Sequence, residues 1–264
     1  MKKIAFLFLI YDIINQEELW NVFFQNVDPS KYTIYIHYKK NTPLKYFEKY
    51  KLKNCIPTEY CHVSIIHAHN LLIENALNDN DNYKFINVSQ ACIPLKPFDY
   101  IYDFLTSNDT GYFGRMYECH YNYNLKIKGM DNVYKAANWF ILNRTLANIF
   151  TTDDKNNINL LYSNIWAPEE WYYLTYIHNN NLISQVIVYD MNNLTTFTNW
   201  GQTCYKFNRS NTPKILKNFR TIFSNELKHL IDSPHLFARK FNAVPMNFKI
   251  LIDTFTSTSK PPVP

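Results

Sequence analysis

Glycine is nearly missing from this chain, with 4 in 264 residues. Neither G-x-G-x-x-G nor G-x-x-x-x-G-K-[ST] occurs, so dinucleotide-binding and P-loop readings lose their main support. Cysteine is scarce too. Cys55, Cys61, Cys92, Cys119 and Cys204 are odd in number and irregularly spaced, and no C-x-x-C appears. That pattern favours neither a structural zinc site nor a disulfide framework, and it fits reduced thiols in a cytosolic compartment. Net charge is only +5, and no Lys/Arg run is long enough to make a nucleic-acid arm, so no nucleic-acid partner is expected. Long apolar runs are also missing. Ile4–Ile10 follows Met1-Lys2-Lys3 but stops at Tyr11-Asp12. It is too short to span a bilayer and lacks a small-x-small cleavage site, so it reads as a buried first strand.

What the chain does have is 47% hydrophobic and 17% aromatic residues against 19% charged, enough for a sizeable core. Asn, Tyr, Lys and Ile are abundant, a bias that resembles translation from an AT-rich genome. Ile4–Ile10 is continuously apolar, as expected of a strand covered on both faces. Asn15 is placed to cap a helix to about Gln25 that carries Leu19, Trp20, Phe23 and Phe24. Tyr32–His37 alternates as a strand, Pro43 to Tyr50 suits a short helix opened by proline, Ser64 begins a periodic helix, and Tyr83–Val88 forms a further strand. Beyond these, Pro97–Leu105 and Thr145–Phe150 read as helical and Gly111–Met116 as extended. Pro168 opens a helix to about Ile177. Strands near Val186–Tyr189 and Leu194–Phe197 and helices near Pro213–Phe223 and Pro245–Ile252 complete the chain. The alternation predicts an α/β fold with a mainly parallel central sheet flanked by helices. Residues 1–255 read as one domain and 256–264 as a polar tail. Ligands of such sheets bind beyond the carboxyl ends of the strands, here just after Ile10, His37 and Val88.

Four phrases in order carry a family resemblance. Asn87-Val88-Ser89-Gln90-Ala91-Cys92-Ile93-Pro94-Leu95 is similar to a "LSESCIPL" strand end. Lys135 to Arg144 looks like "KGSQWFxLxR". Ala167-Pro168-Glu169-Glu170 looks like a "PDE" segment, and Leu236-Phe237-Ala238-Arg239-Lys240-Phe241 resembles "LFARKF". Together they resemble the core-2/I-branching β-1,6-N-acetylglucosaminyltransferases and peptide O-xylosyltransferases, over nearly the whole chain. The resemblance implies a GT-A-like fold and an inverting transfer from a UDP-sugar donor to a glycan or glycoprotein acceptor, N-acetylglucosamine and xylose being the first candidates. It also implies that no metal cofactor is needed.

Inverting transfer needs a base for the acceptor hydroxyl and positive charge for the departing diphosphate. Acidic residues favour helix N-termini in any protein. Through the resemblance, however, Glu170 takes the catalytic-base position, with Glu169 as fallback. Arg239 and Lys240 take the phosphate-binding role, joined by Lys214. Ser89 and Gln90 follow a strand end where the donor sugar should sit, and Gln90 replaces a common Glu. His37 ends the second strand, where relatives carry His-x-Asp. Here Tyr38 or Lys39 stands in the place of that Asp. Lys135, Trp139 and Trp200 are candidate acceptor contacts, since aromatic faces stack on pyranose rings.

Asp79-Asn80-Asp81 has metal-site spelling but precedes a strand, and Asp153-Asp154 lies in a similar loop. Both read as polar loops, as His67-Ala68-His69 reads as structural. A soluble cytoplasmic setting in a microbe or large virus, with no membrane span, is expected. A catalytically inactive sugar-binding relative is the alternative, as is a metal-dependent transferase using Asp79 and Asp81.

Overall fold

The computed structural model describes residues 1–116, 127–130, 132–189, 195–199 and 218–256. Its centre is β1 (Lys3–Ile10), flanked in parallel by β2 (Tyr32–Tyr38) and β3 (Asn82–Ser89), with Phe6 opposite both Ile34 and Ile86. The crossovers between these strands are α1 (Glu17–Phe24) and α2 (Ser64–Leu77). Beyond β3 the sheet turns mixed. β6 (Ile141–Asn143) runs antiparallel to both β3 and β5 (Gly111–Gly114), and β7 (Val186–Tyr189) pairs parallel with β5. The strand order is β2-β1-β3-β6-β5-β7. The expected α/β, mostly parallel sheet is therefore present. The antiparallel β6 was not expected, because at three residues it carries no periodicity to read.

Period-2 alternation decides which way each β1 side chain faces. Ala5 and Leu7 enter one core with α2, α4 (Arg144–Thr152), α5 (Lys155–Tyr162) and α6 (Glu169–Asn179). Ile4, Phe6, Phe8 and Ile10 enter the other, with α1 and α3 (Phe98–Thr106). Phe6 lies 5.0–6.5 Å, centroid to centroid, from Trp20, Phe23, Phe24, Phe98 and Phe237. Truncating so central a ring to alanine costs about 3–5 kcal/mol. A second sheet, β4 (Ile93–Pro94), β9 (Phe237–Arg239) and β8 (Thr196–Thr198), packs with α7 (Ser224–Asp232) and α8 (Lys249–Thr256) over a smaller core.

Several local expectations are corrected. Asn15 does not cap α1. Its side-chain amide donates to the Phe241 carbonyl at 2.7 Å, and Gln16 occupies the cap position without capping the helix, its side chain donating instead to the Asn242 and Val244 carbonyls. Pro43 to Tyr50 is not helical beyond one 3-10 turn, Glu48–Tyr50. Glu17 accepts from the amides of Lys45, Tyr46 and Phe47, and so holds this segment as an irregular loop. The helix expected over Pro213–Phe223 falls partly outside the described residues, and 218–223 are not helical. The helix there is α7, where Glu226 reaches back to the Phe223 amide at 3.1 Å.

Candidate active site

The chain leaves β1 for β2 on one side and returns across β1 to β3 on the other, so β1 and β3 flank a topological switch point. Crevices at such points are where open α/β sheets take ligands. Gln90, just past β3, spans this one. Its Oε1 accepts from the Tyr11 amide at 3.1 Å and its carbonyl from the Asn15 amide at 2.9 Å. A glutamate at position 90 would accept the first bond equally well. The change of charge therefore leaves the backbone geometry intact. Ser89 shapes the following turn, its hydroxyl accepting from the Ala91 amide and lying 3.3 Å from the Cys92 thiol.

β9 delivers the cations. Ala238 pairs with Ile93, and the Phe241 amide donates to the Ala91 carbonyl at 2.9 Å, which sets Arg239 and Lys240 beside the β3–β4 turn. The Arg239 guanidinium lies 3.9 Å from the centre of the Trp139 ring, close enough for a strong cation–π contact. Burial pulls Arg239 below its usual range, while the nearby Cys92 thiol, Glu170 and Tyr60 act in the opposite direction. Its Nε is buried without a partner. Burial, helped by the Arg239 charge, also lowers Lys240. Two cations held this way, one against an aromatic face, suit an anion better than solvent.

α6 delivers the carboxylates. Pro168 precedes its first residue, and the Glu170 amide donates to the Ala167 carbonyl at 3.0 Å. Two neighbouring residues meet Glu170: the Lys135 Nζ is 3.0 Å from its Oε2, and the Ala136 amide donates to its carbonyl at 2.7 Å. Lys135 also lies 5.6 Å from the Trp171 ring centre. The phrase Lys135–Arg144 and the segment 167–170 are thus brought together as one unit. Glu169, the neighbour, is more deeply placed. Burial pushes its carboxyl up to about 7, and Oε2 has no hydrogen-bond partner.

His37 is fully buried. Its Nε2 accepts from the Ile56 amide at 3.1 Å, so the neutral ring carries its proton on Nδ1, which has no partner. Burial lowers it to about 4. His69 stands nearby, 3.1 Å from the Asn87 amide nitrogen and lowered by burial to about 3. Asn87 in turn donates to the Asn138 carbonyl, one residue before Trp139. Tyr38 is half-buried, its amide 3.4 Å from the Cys55 sulfur and its ring facing Lys51. Lys214 and Trp200 lie outside the described residues.

Sequence reasoning passed over the hydrogen-bonded polar cluster of His69, Asn87 and Asn138. The one signal was that Asn87 and Asn138 fall inside matched phrases. The loop readings agree with the structure. Asp79 pairs with Lys3 at 2.8 Å, Asp154 accepts from the Asn156 amide at the start of α5, and Asp153 accepts from the Tyr172 hydroxyl at 2.7 Å. Among the described residues no group of three or more His, Cys, Asp or Glu is placed to hold a metal ion, and no helix is long and apolar enough to cross a membrane.

Comparison with known proteins gives these residues a context. Over 164 residues the chain is 26% identical to "Glycosyltransferase BC10" of Oryza sativa subsp. japonica, covering 58% of this chain and 41% of that protein. The chain thus spans well under half the length of this relative. Two solved structures resemble it more distantly. A glycosyltransferase involved in the glycosylation of the major capsid of PBCV-1 shares 11% identity at a TM-score of 0.44, covering 89% of this chain and 93% of that one. A197 from STIV shares 9% identity at a TM-score of 0.30, covering 59% and 70%. The model of the family described as "Core-2/I-Branching enzyme" matches residues 4–230, which include Glu170 and stop short of Arg239 and Lys240. With most of its length matched, the chain belongs to the Core-2/I-branching enzyme family.

Proposed function

We propose that this protein is an inverting glycosyltransferase that moves a sugar from a UDP-sugar to a hydroxyl of a glycan or glycoprotein, with N-acetylglucosamine or xylose as the transferred sugar. One observation carries the reading. Glu170 on α6 and Arg239 at the end of β9 are far apart in sequence, yet both contact the segment 135–139, Glu170 lying 3.0 Å from Lys135 and Arg239 3.9 Å from the Trp139 ring centre. Inverting transfer asks for that arrangement. Glu170 takes the acceptor proton as the acceptor oxygen attacks the anomeric carbon, and the diphosphate leaves toward fixed positive charge. Lys135, paired to Glu170 at 3.0 Å, restrains the carboxylate. The stack on Trp139 fixes the direction of the Arg239 guanidinium. In this reading Arg239 and Lys240 supply the charge that a divalent cation supplies in other transferases, with Lys214 as a further candidate.

The donor sugar is assigned to the crevice at Ser89 and Gln90, and the acceptor to the Lys135 and Trp139 side, with Trp200 as a further candidate. His37 lies under this crevice, fully buried, where it supports the nucleotide end. The family membership and the glycosyltransferase relative support the chemistry at the coarse level. The second reading, a sugar-binding protein without turnover, draws on Tyr38, which stands near a position where relatives carry an acidic residue.

The test is a UDP-sugar screen by UDP release, run with and without EDTA and with Glu170→Gln beside the wild type. One donor should be turned over, EDTA should change little, and Glu170→Gln should abolish transfer while UDP still protects against thermal unfolding. Protection by UDP without turnover of any donor would favour the binding-only reading. Full activity in Glu170→Gln would remove the proposed base.

A further inference from the structure

Two aromatic side chains beside the carboxylates are left in solvent. Tyr60 is 85% exposed and Trp166 73% exposed, and their rings meet edge to face, 6.0 Å apart at 83°. Leaving an indole this open forgoes the burial that normally rewards it. The backbone maintains the arrangement at a cost. The residue after each aromatic, Cys61 (φ 54°) and Ala167 (φ 51°), adopts the left-handed conformation that side chains other than glycine disfavour. The Ala167 amide donates to the Cys61 carbonyl at 3.4 Å, clasping the two segments together.

The pair belongs to the same site as the carboxylates. Trp166 precedes Glu170 by a single turn, and that turn is closed by the bond from the Glu170 amide to the Ala167 carbonyl. The Tyr60 phenol is raised by its hydrogen bond with Cys61 and the Cys61 charge, then by partial burial, and least by Glu169 and Glu170. An open aromatic corner next to two carboxylates, one with an unpartnered buried oxygen on Glu169, matches the two-sided chemistry of a sugar. C–H faces of a pyranose stack on the rings, and hydroxyls donate to the carboxylates.

We propose that Tyr60 and Trp166 form an aromatic corner that stacks a pyranose ring of the acceptor saccharide and presents its hydroxyl to Glu170. This rests on the transferase reading and assigns the acceptor a contact outside Lys135 and Trp139, where one Trp139 face is already taken by Arg239. The corner would select for sugars with a continuous apolar C–H face, and a saccharide of two or more rings could span from the corner toward Lys135.

Saturation-transfer NMR tests this with methyl β-D-galactopyranoside, methyl β-D-xylopyranoside and methyl α-D-mannopyranoside as probes, on the wild type, Trp166→Ala, Tyr60→Ala and Trp166→Phe. At least one probe should receive saturation on the C–H protons of one face, the signal should vanish in both alanine variants, and Trp166→Phe should keep it. Once the acceptor is known, Trp166→Ala should raise its KM roughly tenfold with the KM for the UDP-sugar unmoved. Unchanged saturation in the Tyr60→Ala/Trp166→Ala double variant would overturn the corner. So would a wild type that is stabilised by UDP yet contacts none of the sugars, or concentration-dependent self-association that both alanine variants abolish. If the sugars bind through the corner but no UDP-sugar binds or turns over, the transferase reading fails and the saccharide site stands.

Discussion

The two ends of the central sheet treat their polar groups in opposite ways. At the amino end, Lys3 pairs with Asp79 at 2.8 Å and the chain's amino group with Asp81 at 3.2 Å. Arg144 donates to the carbonyls of Leu77, Asp79 and Asn82, and Lys84 to that of Thr110. Toward the carboxyl end, buried atoms of His37, His69, Asn87, Asn138, Glu169 and Arg239 have no hydrogen-bond partner. They are six of the seven such atoms among the described residues. Buried polar groups are normally satisfied, so this concentration of unmet ones agrees with the proposal that a polar ligand binds at that end. The Asp-x-Asp spelling sits at the satisfied end and works as a fastener for the α2–β3 loop.

This contrast can be broken most sharply at Glu170. Removing a general base should lower kcat by about a thousandfold, so Glu170→Gln should lose transfer in a UDP-release assay yet unfold at the same urea concentration as the wild type. Arg239→Lys comes next. It keeps the charge but loses the planar stack on Trp139, so kcat should fall roughly a hundredfold. Activity within a factor of three of the wild type would show that the stack is packing alone.

The core strands and the long helices were legible because their side chains repeat at the period of the element. β1 starts one residue before the expected strand and ends with it, and α2 starts at the expected Ser64. Asn15 was misread because a capping residue and a tether have the same spelling: its amide reaches Phe241, 226 residues away. The pairing of Lys135 with Glu170 and the shelf under Arg239 were illegible for the same reason. Both join segments that only the fold brings together. Only the resemblance named Glu170 and Arg239, and no local rule separates Glu170 from its neighbour Glu169.

A change at the satisfied end should affect stability and leave chemistry alone. Arg144→Ala removes the donors to three backbone carbonyls and to the Asn80 side chain. It should cost about 2–3 kcal/mol in urea unfolding, with kcat for the remaining folded protein unchanged. The pH dependence separates the ends as well. Glu169 holds its proton to about 7 in the folded state against an ordinary 4.5. Its contribution is therefore complete below pH 4.5 and is lost as pH rises to about 7. Glu169→Gln should flatten that slope and gain about 1–3 kcal/mol at pH 8. His37 and His69, lowered to about 4 and 3, act with the opposite sign, and their contribution is lost as pH falls below about 6.5. Lys84 at the other end, lowered by burial to about 8, costs stability progressively as pH falls from 10.5 to 8. Among these groups, the slope between about pH 4.5 and 7 therefore belongs to the carboxyl end, while Asp79, lowered by its bond to Lys3, adds an amino-end contribution that is lost only at more acid pH.

The smallest effect is expected where the sequence most resembles a metal site. Asp81 contacts the amino terminus at 3.2 Å and Lys3 at 3.8 Å, and about half of its side chain is exposed. Solvent and salt screen such pairs, so Asp81→Asn should change stability by less than about 1 kcal/mol. Its transfer rate should match the wild type with and without EDTA, because the loop lies at the amino end of β3 and Glu170 beyond the other. A metal-dependent enzyme built on Asp79 and Asp81 would instead lose most of its activity in this variant and regain part of it with excess Mn²⁺. That result would move the reactive centre to the opposite end of the sheet and reverse the reading of which end is functional.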